Sequence, residues 1–190
     1  MTSDPEIITL YTAQAPIVLE TLESEGVYRV KMEYVDKKYG EQAWIFKQAY
    51  SFFAQHAPRS VPRPEGAESG VWLFADERWI ASAPGCWMLK LEVPRDQVVL
   101  FDLRVWNRML NLSYVGCSVE DEMAFERRVE REGASDMAKV FGSSFFPLVK
   151  REIQDSWKRL FDSSANCPAS YLQAGAWELK KEWIVDKKML

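Results

Sequence analysis

In the stretch YLQAGAWEL (residues 171–179), the carboxamide of Gln173 and the carboxylate of Glu178 interrupt an otherwise apolar and aromatic run. Strand alternation sets residues five apart on opposite faces, so the two reach one side of a sheet only if a bulge at Gly175 shifts the phase. A glutamate turned inward beside Trp177 would be desolvated and its pKa raised. That is the condition of a general acid, or of a carboxylate that stabilises an electron-poor centre. On an edge strand, Glu178 is plain surface instead. Near the other end of the chain, Thr12 and Gln14 close the β-branched run IITLYT. A polar pair there either meets a ligand at the end of a sheet or caps the next helix. The first strand is the expected neighbour of the late one. Gln14, Gln173 and Glu178 then line one groove with Thr12 beside them, Glu178 carrying the charge.

The remaining polar candidates have simpler readings. Asp102 and Asn111 bracket LRVWNRML as an N-cap and C-cap pair. His56 is the only histidine and ends an apolar helical stripe, where a helix C-terminus favours it. Cys86, Cys117 and Cys167 are odd in number and widely separated, with no CxxC pair, so three free thiols and no metal site are expected. No glycine-rich phosphate loop, GxSxG elbow or HExxH occurs.

The elements that must position these groups follow from patterning. With 190 residues, 47% hydrophobic and 27% charged, the chain reads as a single globular domain over residues 1–190. A net charge of −4 gives no general attraction to nucleic acid or anionic lipid. MTSDPEIITL lacks the basic start and apolar run of a secretion signal, and no stretch approaches the roughly 18 apolar residues of a membrane span, so a cytoplasmic protein is expected. IITLYT predicts a strand, APIVLETLESEG a helix between Pro16 and Gly26, VYRVKMEYV a second strand, and GEQAWIFKQAYSFFAQHA a long helix. PRSVPRPEGAESG, residues 58–70, predicts an exposed Pro/Gly-rich loop, a lid or partner loop. CWMLKLEVP and DQVVLFD predict two strands, and SVEDEMAFERRVEREG a capped, solvated helix. FPLVKREIQDSWKRLF predicts one helix burying Phe146, Val149, Ile153, Trp157 and Leu160. YLQAGAWEL and EWIVDKK supply the closing strands. The fold class is α+β, a mixed or mainly antiparallel sheet flanked by amphipathic helices.

The segments LYTAQ, FDLRVWNRMLN, SWKRLFD and LQAGAWELKKEWI together resemble a bacterial family catalogued as domain of unknown function 3841. That resemblance implies no activity. The strand, helix, strand opening with a late polar strand is similar to the layout of ADP-ribosyltransferase-like folds. There, a first-strand polar residue holds the nicotinamide nucleotide and a late Glu stabilises the cationic transition state. By that analogy Thr12 or Gln14 positions the ligand, Glu178 does the stabilising, and NAD is the candidate cofactor. The sequence departs from the pattern in three ways: no His on the first strand, Arg29 one strand late, and no Gln-x-Glu spacing. The other reading is a non-catalytic protein-interaction module using the loop at 58–70 and aromatics around Trp72 and Trp79. The expected partner is thus a small-molecule nucleotide or another protein.

Overall fold

The computed structural model of the chain describes residues 6–81 and 84–190. Strand β1 (Ile7–Gln14) leads into helix α1 (Pro16–Glu25), framed as its pattern predicts. Pro16 stands in the first turn, where its missing N–H costs nothing, and Gly26 caps the end in the left-handed region (φ 76°). VYRVKMEYV departs from the strand expected of it. Only β2 (Val27–Tyr28) and an isolated bridge from Val30 to Ser69 pair, and α2 (Met32–Tyr39) starts at Met32, whose N–H donates to the Glu68 carboxylate at 2.8 Å. Helix α3 (Ala43–His56) buries Ala49, Tyr50, Phe52 and Phe53.

Strands β3 (Val71–Phe74), β4 (Trp87–Pro94) and β5 (Val98–Asp102) come next, and β5 runs directly into α4 (Leu103–Leu110). Asp102 caps α4 as expected, its carboxylate accepting the Arg104 N–H at 2.8 Å. Helix α5 (Val119–Arg131) is capped by Ser118, whose hydroxyl accepts the Asp121 N–H. Helices α6 (Met137–Gly142) and α7 (Pro147–Ser156) follow. Val149, Ile153, Trp157 and Leu160 are buried and Phe146 is half-buried, so the predicted stripe faces the core. The α-helix nevertheless stops at Ser156, and Trp157–Asn166 continue as 3-10 turns. Strands β6 (Leu172–Ala176), β7 (Leu179–Lys180) and β8 (Ile184–Met189) close the described chain.

The six-stranded sheet has the order β5-β6-β3-β1-β4-β8 and is antiparallel throughout, with β2 and β7 forming a separate pair. The fold is α+β. One face of the sheet carries Leu10, Leu73, Leu89, Leu91, Val98 and Leu100 against Val18 and Leu22 of α1. The other carries Val99, Phe101 and Trp72 against α3, α4 and Trp157. This helical layer covers the β5-β6-β3 half. On the β1-β4-β8 half of the same face, Ile7, Thr9 and Glu92 are exposed. The loop at 58–70 exposes Arg59, Arg63 and Glu65 but is pinned by buried Val61, Ala67 and Ser69, and the Val61 carbonyl accepts the Trp177 indole N–H at 2.9 Å. The edge strand β8 carries Asp186, Lys187 and Lys188, charges of the kind that blunt further pairing, and the Asp186 carboxylate accepts the Lys187 N–H.

Candidate functional site

β1 and β3 are in register at Tyr11↔Phe74 and then separate. Thr12 spans the gap, its buried hydroxyl donating to the Trp72 carbonyl at 3.1 Å, and the Gln14 amide donates to Thr12 Oγ1 at 2.9 Å. The helix-cap reading fails, since the N-cap of α1 is Ala15; this relay instead ties β1 to β3. Thr12→Val keeps the shape and removes the hydroxyl, stranding the Trp72 carbonyl and the Gln14 amide. We expect a loss of about 1–3 kcal/mol, read as a lower urea midpoint; an unchanged midpoint would show that the relay contributes nothing.

The expected shared groove does not form, for three reasons visible in the register. Between β1 and β6 lies β3, so the first strand is not the neighbour of the late one. Gly175 makes no bulge but pairs in phase with Trp72 and Val99. Its missing side chain answers to Phe53, since a Cβ there would lie 2.4 Å from the ring. Gln173 also shares its face with Phe74 and Tyr11, whereas alternation sends Thr12 and Gln14 to the other. Glu178 lies beyond the far end of β6, its side chain 15% exposed. Its carboxylate takes the Arg29 guanidinium at 2.7 Å, and the Lys180 ammonium stands 3.6 Å away. A carboxylate so engaged ties the turn after β6 to Arg29, the residue that follows β2.

What the sheet does assemble is a row. Across one face, residue opposite residue, stand Phe101, Gln173, Phe74, Tyr11, Lys90 and Asp186 on six successive strands. Phe101 and Gln173 are buried, Phe74, Tyr11 and Lys90 half-buried, and Asp186 exposed. The row therefore climbs from the core to solvent. Within it, Gln173 Oε1 is buried and, among the described residues, has no hydrogen-bond partner. Such an orphan acceptor costs about 1–3 kcal/mol unless something donates to it.

Around the start of β6, Trp79 donates its indole N–H to the Ser170 carbonyl at 2.5 Å and lies against the Tyr171 ring, which the Arg104 guanidinium covers from 4.8 Å. Asp102 chelates Arg104 (2.6–3.1 Å). Burial pushes the Asp102 pKa up, but the Arg104 bonds outweigh it and hold the carboxyl below its usual range. The neighbouring Cys167 thiol is pushed up to about 11 by burial and by the Asp102 charge, which makes it a poor nucleophile. All three cysteines are free, as expected.

Trp72, expected among exposed aromatics, instead packs in the core against Tyr50, Phe53 and Trp106. His56 sits at the end of α3 with Nδ1 2.9 Å from the Phe52 carbonyl, in line with a helix-end role. A surface depression of about 410 Å³ along α7 holds Glu152, Asp155, Lys158 and Arg159, but no residue of the row. Among the described residues, no group of His, Cys, Asp and Glu is placed to hold a metal ion, and no helix is long and apolar enough to cross a membrane.

A family model described as domain of unknown function (DUF3841) matches residues 9–185. The chain belongs to this family. In this DUF3841 chain the matched span runs from β1 into β8 and so contains every residue of the row except Asp186. No curated protein and no solved structure matches the chain. Of the residues picked out in sequence, Gln173 is the one that stands unpartnered in a buried position. Lys90 and Tyr11, its companions in the row of this DUF3841 chain, carry no local signal: KLE and LYT are ordinary strand text, and only cross-strand register aligns them.

Proposed function

We propose that the protein binds a nucleotide through its flat ring, on the sheet face that carries Gln173, Phe74 and Tyr11. The observation that carries this reading is the buried Gln173 Oε1 with no donor. A ring bearing an amide or amino N–H supplies that donor, and the nicotinamide carboxamide and the adenine amino group both qualify. The half-buried Phe74 and Tyr11 rings beside it offer aromatic surface for a planar partner. NAD is the first candidate because it carries both of these groups, with Gln173 as the polar residue that reads the ring and Glu178 left to its ion pair.

A thermal-shift series with nicotinamide, NAD, AMP and ATP tests the reading. A specific binder at a hundred times its Kd adds about 2.7 kcal/mol of stability. The expected result is a concentration-dependent rise in Tm for at least one of these compounds, abolished in Gln173→Leu. That variant should melt no lower than wild type without ligand, because it removes an unsatisfied polar group. Chromatography of the NAD samples for released nicotinamide reports turnover. Absence of a shift with every compound, or a shift that Gln173→Leu leaves intact, would refute the site.

A further inference from the structure

The row does not end at the aromatic rings. Lys90 stands directly opposite Tyr11 on the same face, three strand spacings from Gln173, a separation of about 14 Å. Its side chain is half-buried and, among the described residues, makes no ion pair. Two carboxylates share this half of the face. Asp186, opposite Lys90 on β8, is engaged by the Lys187 N–H, and Glu92, two residues along β4, is exposed beside Thr9.

We infer that Lys90 holds the anionic group of the ligand whose ring Gln173 reads, so that the ligand is a phosphorylated nucleotide and not a free base or nucleoside. This rests on the ring site proposed above. The dimensions suit it. A base whose N–H meets Gln173 lies over Phe74 and Tyr11, its ribose continues toward β4, and a four-carbon ammonium side chain reaches back across β1 to a phosphate. The helical layer covers the Gln173 end of the face, Phe74, Tyr11 and Lys90 are half-buried, and Asp186 beyond them is exposed. The N–H that meets Gln173 is thus at the dry end of the row and the phosphate nearer its wet end. Lys90 acts here as a specificity residue, because the charged bond forms only when phosphate is present.

Titration calorimetry with two matched pairs, nicotinamide riboside against its mononucleotide and adenosine against AMP, tests this on wild type, Lys90→Met and Gln173→Leu. In wild type the better-binding mononucleotide should bind about tenfold tighter than its nucleoside, as a charge-assisted hydrogen bond provides. Lys90→Met should erase that difference while leaving nucleoside affinity unchanged, and raising the salt concentration should narrow it. Equal binding of nucleoside and nucleotide in wild type, or a Lys90→Met loss shared by both, overturns the role of Lys90. In either case dependence on Gln173 still stands as evidence for the ring site. Binding that ignores Gln173→Leu but needs Lys90 and phosphate defeats the ring site instead, and no binding of any of the four defeats both.

Discussion

Replacing Trp157 with alanine should destabilise the protein by about 3–5 kcal/mol, a large share of the roughly 5–15 kcal/mol that holds most domains folded. The indole is fully buried. It lies edge-on to Phe52 with ring centroids 5.5 Å apart, stacks on Phe141 at 5.6 Å, and donates its N–H to the Ser113 carbonyl at 2.8 Å. Truncation thus removes packing on two sides and strands a carbonyl at once. Equilibrium urea unfolding should show a much lower midpoint with a similar slope, and Trp157→Phe should fall between. A Trp157→Ala variant as stable as wild type would mean that the α7 stripe does not close the core.

Gly175→Ala should be damaging in the opposite way, by adding one methyl. The new Cβ would sit 2.4 Å from Phe53 Cζ and 2.9 Å from Cε2. The strand has no room to retreat, since β6 is hydrogen-bonded to β3 on one side and β5 on the other. The ring has little room either, packed as it is against Trp72, Phe101, Trp106 and Trp177. Overpacking of this kind costs about 1–3 kcal/mol, and more where neither partner yields. Trimming the ring should relieve it, so Gly175→Ala combined with Phe53→Leu should be less destabilised than the two single changes added together. Strict additivity, or a neutral Gly175→Ala, would show that the close approach is not what fixes glycine at this position.

These two residues also mark what was legible in the sequence. Of the stripe Phe146, Val149, Ile153, Trp157 and Leu160, the last four are buried and Phe146 half-buried, because helical spacing dictates which residues share a face. It did not foretell the change to 3-10 turns at Trp157, since the same residues stay buried on either path. In the sequence Gly175 suggests a bulge, which the register does not contain. The glycine's true cause, the Phe53 ring, lies 122 positions away in sequence. The same distance problem defeated the second strand, where Glu68 caps α2 from outside the segment, and Glu178, whose partner Arg29 is 149 residues distant. Gln173 was legible as a polar exception in an apolar strand. Its row was not, because the alignment of Tyr11, Phe74 and Lys90 with it depends on strand order, which local patterns do not encode.

The position of β6 also bears on how the chain comes to be folded as it is synthesised. β6 is a middle strand of the sheet, flanked by β3 and β5, yet it is made after both, from residues 172–176. Until it leaves the ribosome, the facing sides of β3 and β5 have unpaired N–H and C=O groups and nothing to close on, and the aromatic cluster around Phe53 lacks its floor. Loop closures of such length are slow, and open strand sides in a partly made chain invite wrong partners. The nascent protein is therefore vulnerable until residues 172–176 emerge, and a premature stop before residue 172 would leave β5 cut off from β3-β1-β4 and not merely a shorter sheet.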